Sequence, residues 1–349
     1  MFSPGCDHPD PHALQDLCAL LAARAEQTAT DGPWVSGSFA ALASHGALAG
    51  FIPADCGGTA AGEAAVLELL AAVAEQCLTT ALALSQWAAG CRIIAGGDDR
   101  LRAARLPALA SGAETTTVGI SQLSTSRRHL GTTALTATPT GPTWRLDGLC
   151  PWVTGADSTD TLVVGGATPE GQTVFFVVPR DAPGLSIAPP MQMLALSGSR
   201  TSSVTFDGAT ATDVIAPREG GVRTGGLATT ALALGASRAA VNLLQAEAAA
   251  RPALVAAADG LATEADAIRT RLLAATAAAA VDRDRLRADA NSLVVRAAQA
   301  ALTATKGAGF VVGHPAERLV RESLFFLVWS CPQAVSTAVL CDLAGLART

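Results

Sequence analysis

Tyrosine is missing altogether from this chain of 349 residues, and Phe and Trp together supply only 4% of it. Any aromatic side chain set on a strand therefore asks for a reason. Charge is sparse as well: 24 Lys plus Arg stand against 30 Asp plus Glu, a formal balance of -6, which excludes a global attraction to nucleic acid or anionic lipid. The cysteines, at positions 6, 18, 56, 77, 91, 150, 331 and 341, lack the paired spacing of a metal site, and no cluster of His and acid supplies one. Reduced, buried thiols in a cytoplasmic protein are the expectation. The opening MFSPGCDHPD has no basic flank before an apolar run, so no targeting segment is expected.

What is present is apolar: 50% of the residues, ample for an extensive core. From about Asp10 to Ala110 the pattern is helical, with Leu14, Leu17 and Leu21 on one face of DPHALQDLCALLAARAEQ and a similar period running through GEAAVLELLAAVAEQCLTTALAL. Around Thr115 the period changes. TTTVGIS, TTALTATPT, TWRLDG, DTLVVGG, QTVFFVVP and SSVTFDG are short and rich in Val, Thr and Phe, and Gly, Pro and Asp turns separate them. They predict antiparallel strands in a barrel or sandwich, because no segment between them is long enough for the crossover helices of a parallel nucleotide-binding sheet.

After Pro217 three long Ala-rich helical stretches follow, with Pro252 and Gly260 as the expected break between the first two. With the apolar end from about Pro315 they predict a four-helix bundle. FFLVWSCPQAVSTAVLCDLAG is apolar enough to raise the membrane question. Pro332, Gln333, Ser336, Thr337 and Asp342 would be costly in lipid, so a buried C-terminal helix and no membrane partner are expected.

Several stretches in this order resemble the acyl-CoA dehydrogenase superfamily. They are HGALAGFIPADCGG, LDGLCPWVTGADSTDTLVV, VPRDAPGLSI, LALSGSRTSSVTFDGATA and KGAGFVVGHPAERLVRES. The resemblance implies an α+β fold with an N-terminal helical domain over 1–114, a middle antiparallel β-barrel over 115–216 and a C-terminal four-helix bundle over 217–349. It also implies a flavin cofactor and a homodimer or homotetramer, with an acyl-CoA or other small molecule as substrate. Trp152 and Thr154, read as facing the same way on one strand, inherit the roles of stacking on the flavin ring and hydrogen-bonding near its reactive nitrogen. The chemistry agrees, since an indole offers a broad plane and a hydroxyl a donor.

Where the family reads Thr-Glu-Pro and then Gly-Ser-Asp, this chain has Ser121-Gln122-Leu123, and Ser121 replaces the Thr hydroxyl. Arg127 and Arg128 follow; they suit a pyrophosphate or a substrate acid and are equally explained as solvated turn charges. The dinucleotide grip departs further. Its Arg-x-x-Phe-Gly stretch is reduced to Arg251-Pro252-Ala253-Leu254, and its Gly-rich turn to Lys306, Gly307 and Gly309, which still suit a phosphate. FAD is the expected cofactor, with FMN or no flavin as the alternatives.

The family's catalytic Glu is replaced. Its usual position falls on Ser330 and its alternative position on Gly225, and neither can take a proton from carbon. Glu322, Cys331, His129 and His314 are weak substitutes, each with an ordinary structural explanation. Three readings stay open: an atypical flavin-dependent dehydrogenase, a flavin-dependent monooxygenase of the same fold, and a noncatalytic ligand-binding or partner subunit.

Overall fold

The computed structural model describes residues 1–2, 8–29, 34–123, 134–216, 226–277 and 281–348. Five helices come first: α1 Pro11–Ala29, α2 Ser36–Ser44, α3 Glu63–Gln76, α4 Leu78–Ile94 and α5 Asp99–Ser111. On α1, Leu17 and Leu21 are fully buried and Leu14 is half-buried, as a 3.6-residue period requires. The stretch that reads as one helix from Glu63 onward is two. Cys77 is extended at φ -152° and ψ 100°, and its Sγ accepts the Thr80 backbone N–H at 3.5 Å, so the residue ends α3 and caps α4.

The strands are β1 Thr116–Gly119, β2 Leu135–Thr140, β3 Thr143–Val153, β4 Thr161–Ala167, β5 Thr173–Pro179, β6 Leu185–Ile187, β7 Ser202–Ala211 and β8 Asp213–Ile215. They form one sheet in the order β6-β7-β3-β2-β4-β5-β8, with β1 also on β4. Pairing is mostly antiparallel, as expected. The exceptions are β1 with β4 over four residue pairs, and β2 with β4 at Thr136 and Ala167, which are parallel. No crossover helix is needed for them, because the β2–β3 hairpin carries the chain back to the starting end of β1.

One face of the sheet closes on a core of its own, with Leu135, Leu146, Leu162, Phe176, Val204 and Phe206 from five strands in a single cluster. Val118, Val163 and Val177 point the other way and join the helical core. Strand β4 is thus buried on both faces, and this is why DTLVVGG reads as an unbroken apolar run.

The closing helices are α6 Leu227–Ala249, α7 Val255–Ala277, α8 Arg283–Gly309, α9 Pro315–Leu324 and α10 Gln333–Leu343. Helices α6 to α9 pack together as the bundle. A Cβ on Gly235 of α6 would lie 2.1 Å from the Ala71 carbonyl oxygen, so α6 crosses α3 at backbone contact that only glycine permits. Gly260 does not break the chain as expected: the break is a 3-10 turn at Pro252–Leu254, and Gly260 lies inside α7. Helix α6 is long and apolar enough to cross a membrane, but 72% of its most apolar window is buried in the protein.

The C-terminal apolar run also departs from expectation. A turn over 328–332 interrupts it, and of α10 only Val335 and Val339 are buried, with Leu340 65% and Leu343 59% exposed. Pro332, which has no N–H to donate, sits immediately before α10 and separates it from α9.

Candidate functional site

The corner after β1 is built by Gln122. Its Nε2 donates to the carbonyls of Gly119 and Gly165, both at 3.0 Å, and reaches Cys150 Sγ at 3.3 Å, tying the Ser121–Leu123 turn to β3 and β4. These acceptors settle which end of the amide is nitrogen. The other end, Oε1, is buried with no hydrogen-bond partner among the described residues. Burial pushes the Cys150 thiol up to about 12, so it is a packed group and not a nucleophile.

Two residues beyond Cys150 stands Trp152, 55% exposed and thus the most open of the five tryptophans. Thr154 does not share its face by simple strand alternation. The β3–β7 register slips between Cys150 and Val153, the strand ends at Val153, and Thr154 sits in the following turn, 8% exposed. The Thr154 hydroxyl lies 3.4 Å from that of Thr201, which lies 2.9 Å from that of Ser199. Gly155 comes next, at φ +64°, and a Cβ there would meet the Trp34 ring at 2.4 Å. Trp34 stacks on Phe39 with centroids 5.9 Å apart.

Ser330 lies far along the chain, in the turn between α9 and α10. It is half-buried, with φ +47°. Beneath this turn is Arg287 of α8, 2% exposed and in no ion pair among the described residues. Its Nη2 donates to the Trp329 carbonyl at 3.3 Å, its guanidinium lies over the Phe326 and Trp329 rings at 6.0 and 5.7 Å, and its Nε and Nη1 have no partner among the described residues. Burial pulls its pKa down to about 10. Neighbouring Asn291 donates to the Phe326 carbonyl at 2.7 Å, and its own oxygen has no partner among the described residues.

The Cys331 thiol donates to the Phe326 and Trp329 carbonyls at 3.3 and 3.4 Å, and burial raises its pKa, which keeps it protonated. No carboxylate hydrogen-bonds to this turn among the described residues. Glu322 is 5% exposed on α9, and burial pushes its carboxyl up to about 7 against the pull of Arg318 and Arg321. His314 caps α9 by accepting the Ala316 N–H at 3.1 Å.

Lys306 and Gly307 are exposed at the far end of α8, where Lys306 leaves helical geometry at φ 55° and ψ -144°. Gly309 is buried against Thr305. Nineteen residues of helix separate Lys306 from Arg287, about 28 Å at 1.5 Å each. The Gly-rich turn and the Ser330 turn of one chain therefore do not meet in one pocket. Arg251 is engaged in an ion pair with Glu247. Arg127, Arg128, His129 and Gly225 lie outside the described residues. Among the described residues no group of His, Cys, Asp and Glu has metal-site geometry.

A cavity of about 330 Å³ opens between α1, α3, α6 and α7, lined by Leu14, Glu68, Arg238, Arg269 and Leu272 among others, and it contains none of the expected site residues. The residues that sequence reasoning passed over are Asp157, Ser199, Arg200 and Thr201, although LALSGSRTSS was itself recognised. Only folding brings that loop beside Thr154.

No protein-family model and no curated protein matches the chain. Solved structures do. A glutaryl-coenzyme A dehydrogenase in complex with glutaryl-CoA superposes with a TM-score of 0.83 at 18% identity, covering 98% of each chain. Butyryl-CoA dehydrogenase from Megasphaera elsdenii gives 0.81 at 16% identity, over 97% of this chain and all of that one. KijD3, solved with FMN and a dTDP-linked sugar, gives 0.76 at 21% identity, over 100% of this chain and 98% of that one. With helical regions before and after a mostly antiparallel sheet, matched end to end, the chain has the acyl-CoA dehydrogenase fold.

Proposed function

We propose that the chain is a flavin-dependent oxidoreductase whose ring site is the end of the sheet around Ser121, Trp152 and Thr154. The observation that carries the reading is Trp152, an indole left 55% exposed in a chain that has no Tyr and few aromatics, two residues before a buried threonine. That pairing fits a flat ring with hydrogen-bond acceptors at its edge. Solved relatives of this fold with FMN, KijD3 and TdsC of Paenibacillus sp. A11-2, add support.

A bound flavin would supply the electron transfer that no side chain here can perform. The chain's own part is binding and exclusion of water. Trp152 would cover one face of the ring, Thr154 would present a donor and Ser121 would supply a hydroxyl. Lys306, Gly307 and Gly309 suit a phosphate. A homodimer, in which a second copy of the chain would bring them to the ring site, is part of the proposal.

A second reading concerns the reaction class. The turn at Ser330 carries a buried cation and a protonated thiol where a dehydrogenase of this fold would need a carboxylate to take a proton from carbon. This favours the flavin-dependent monooxygenase class, in which the protein shapes and dries the pocket, over acyl-CoA dehydrogenation.

The test is the visible spectrum of the purified protein and of protein reconstituted with FAD and with FMN. Bound flavin is expected in the starting protein, and its loss is expected in the Trp152→Ala, Thr154→Ala double variant with the fold intact by circular dichroism. Reconstitution with neither flavin would overturn the proposal in favour of a noncatalytic subunit.

A further inference from the structure

Resting on the flavin reading above, we infer that Arg200 is a positioning residue for the Thr154 hydroxyl, acting through a strained loop that Asp157 clamps in place. The loop is Leu196–Thr201. Of the five residues other than glycine at positive φ among the described residues, two lie in it: Leu196 at φ 64° and ψ 23°, and Arg200 at φ 47° and ψ 44°. Bulky side chains rarely adopt this left-handed conformation, and a structure that holds them there has to over-determine it.

The over-determination is visible. Arg200 Nε donates to both carboxylate oxygens of Asp157, each at 3.0 Å, and Nη2 adds a further bond to Oδ2. Asp157 is itself fixed from other sides, since its carbonyl accepts from Arg180 Nη1 at 2.7 Å and Oδ1 accepts from the Ser158 hydroxyl at 2.7 Å. The Gly155 N–H donates to the Ser199 carbonyl at 2.9 Å, which pins the two loops together one residue from Thr154. Arg200 thus stands between Ser199 and Thr201, whose hydroxyls form the chain that ends on Thr154.

The consequence is chemical. Ser199 is 0% and Thr201 5% exposed, and among the described residues neither hydroxyl contacts any acceptor except its neighbours in this hydroxyl chain. A proton left at that buried end would be unsatisfied, so the favoured order is Ser199 donating to Thr201 and Thr201 to Thr154. The Thr154 proton is then directed away from the loop, toward a ligand acceptor. Without the Arg200 clamp the loop relaxes out of its left-handed turn, the Thr201 contact is lost, and the Thr154 hydroxyl is no longer held in one direction.

The experiment uses the full-length protein and four probes: FAD, FMN and the 5-deaza analogue of each, in which a C–H replaces the ring nitrogen that would accept from Thr154. One net hydrogen bond predicts that the starting protein binds its flavin about fivefold more tightly than the deaza analogue. Arg200→Gln breaks the ion pair and, like arginine, does not favour the left-handed conformation, so the loop is free to relax. The variant is expected to melt within about 2 °C of the starting protein while its preference falls below about twofold. Asp157→Asn opens the clamp from the other side and is expected to match it, with the double variant no worse than either single one.

A preference retained in both variants would overturn the inference, as would its absence from a starting protein that binds flavin. Unfolding of both variants would also overturn it, by showing the clamp to be structural only. Failure of the starting protein to bind FAD or FMN would instead overturn the flavin reading itself, and this inference with it.

Discussion

Glu322→Gln is expected to remove a large part of the pH dependence of stability above pH 5. Glu322 is 5% exposed on α9, and its carboxylate has no hydrogen bond or ion pair among the described residues. Burial raises its pKa from an ordinary 4.5 to about 7. Nearby Arg318 and Arg321 oppose the rise, but Arg321 is committed to Glu317 and to the Leu194 carbonyl.

The sign follows from which state ionises first. The unfolded chain loses this proton near its ordinary value while the folded chain keeps it, so the stabilisation is fully present below pH 4.5 and disappears as pH rises through 7. At 1.36 kcal/mol per pH unit the total is about 3 kcal/mol, most of it lost between pH 5 and 8. The carboxylates of Asp147, Asp157, Glu317 and Asp342 are held below their ordinary range and titrate under that window, so they cancel between the two proteins. Urea unfolding of both proteins at pH 5 and pH 8 measures the difference. Glu322→Gln should gain on the starting protein by about 2.5 kcal/mol over that interval, and an equal stability gap at the two pH values would refute the reasoning.

Two other outcomes are expected. Arg287→Met should raise the melting temperature, because among the described residues the buried cation has no acid partner and two of its nitrogens are unpartnered, and a thioether of similar length fills the space without that cost; a lower melting temperature would show that the contacts with Phe326, Trp329 and the Trp329 carbonyl outweigh it. Gly155→Ala should cost about 2 kcal/mol in urea unfolding, since a Cβ at φ +64° is strained and meets the Trp34 ring. Trp34→Ala in the same background should recover the steric part of that cost.

Period was sufficient for the order of helical, strand and helical regions. Three apolar periods in order, helical, then strand-like, then helical, are local properties of the chain, and the long uncharged stretches could only be buried against one another. The finer misreadings share a cause. Cys77 breaks a helix through a sulfur cap, and the C-terminal run is divided at a turn before Pro332. Parallel β1 and β4 are brought together by a hairpin and not a helix. Each depends on one residue's backbone or on a distant partner, which periodicity averages away.

The site divides along the same line. Trp152 stood out in the sequence because aromatics are so scarce here, but that it is exposed while Thr154 is buried in the turn beyond the strand was not legible. The Arg200–Asp157 clamp was not legible either, since its partners are 43 residues apart in the chain. Nor was the bare Arg287 under Ser330, 42 residues from the Trp329 carbonyl it bonds. Sequence by itself determined which side chains were available and which segments would be buried. Only the tertiary structure decided which charges found a partner and which hydroxyls met, because those energies depend on distances and burial that exist once the loops have closed on one another.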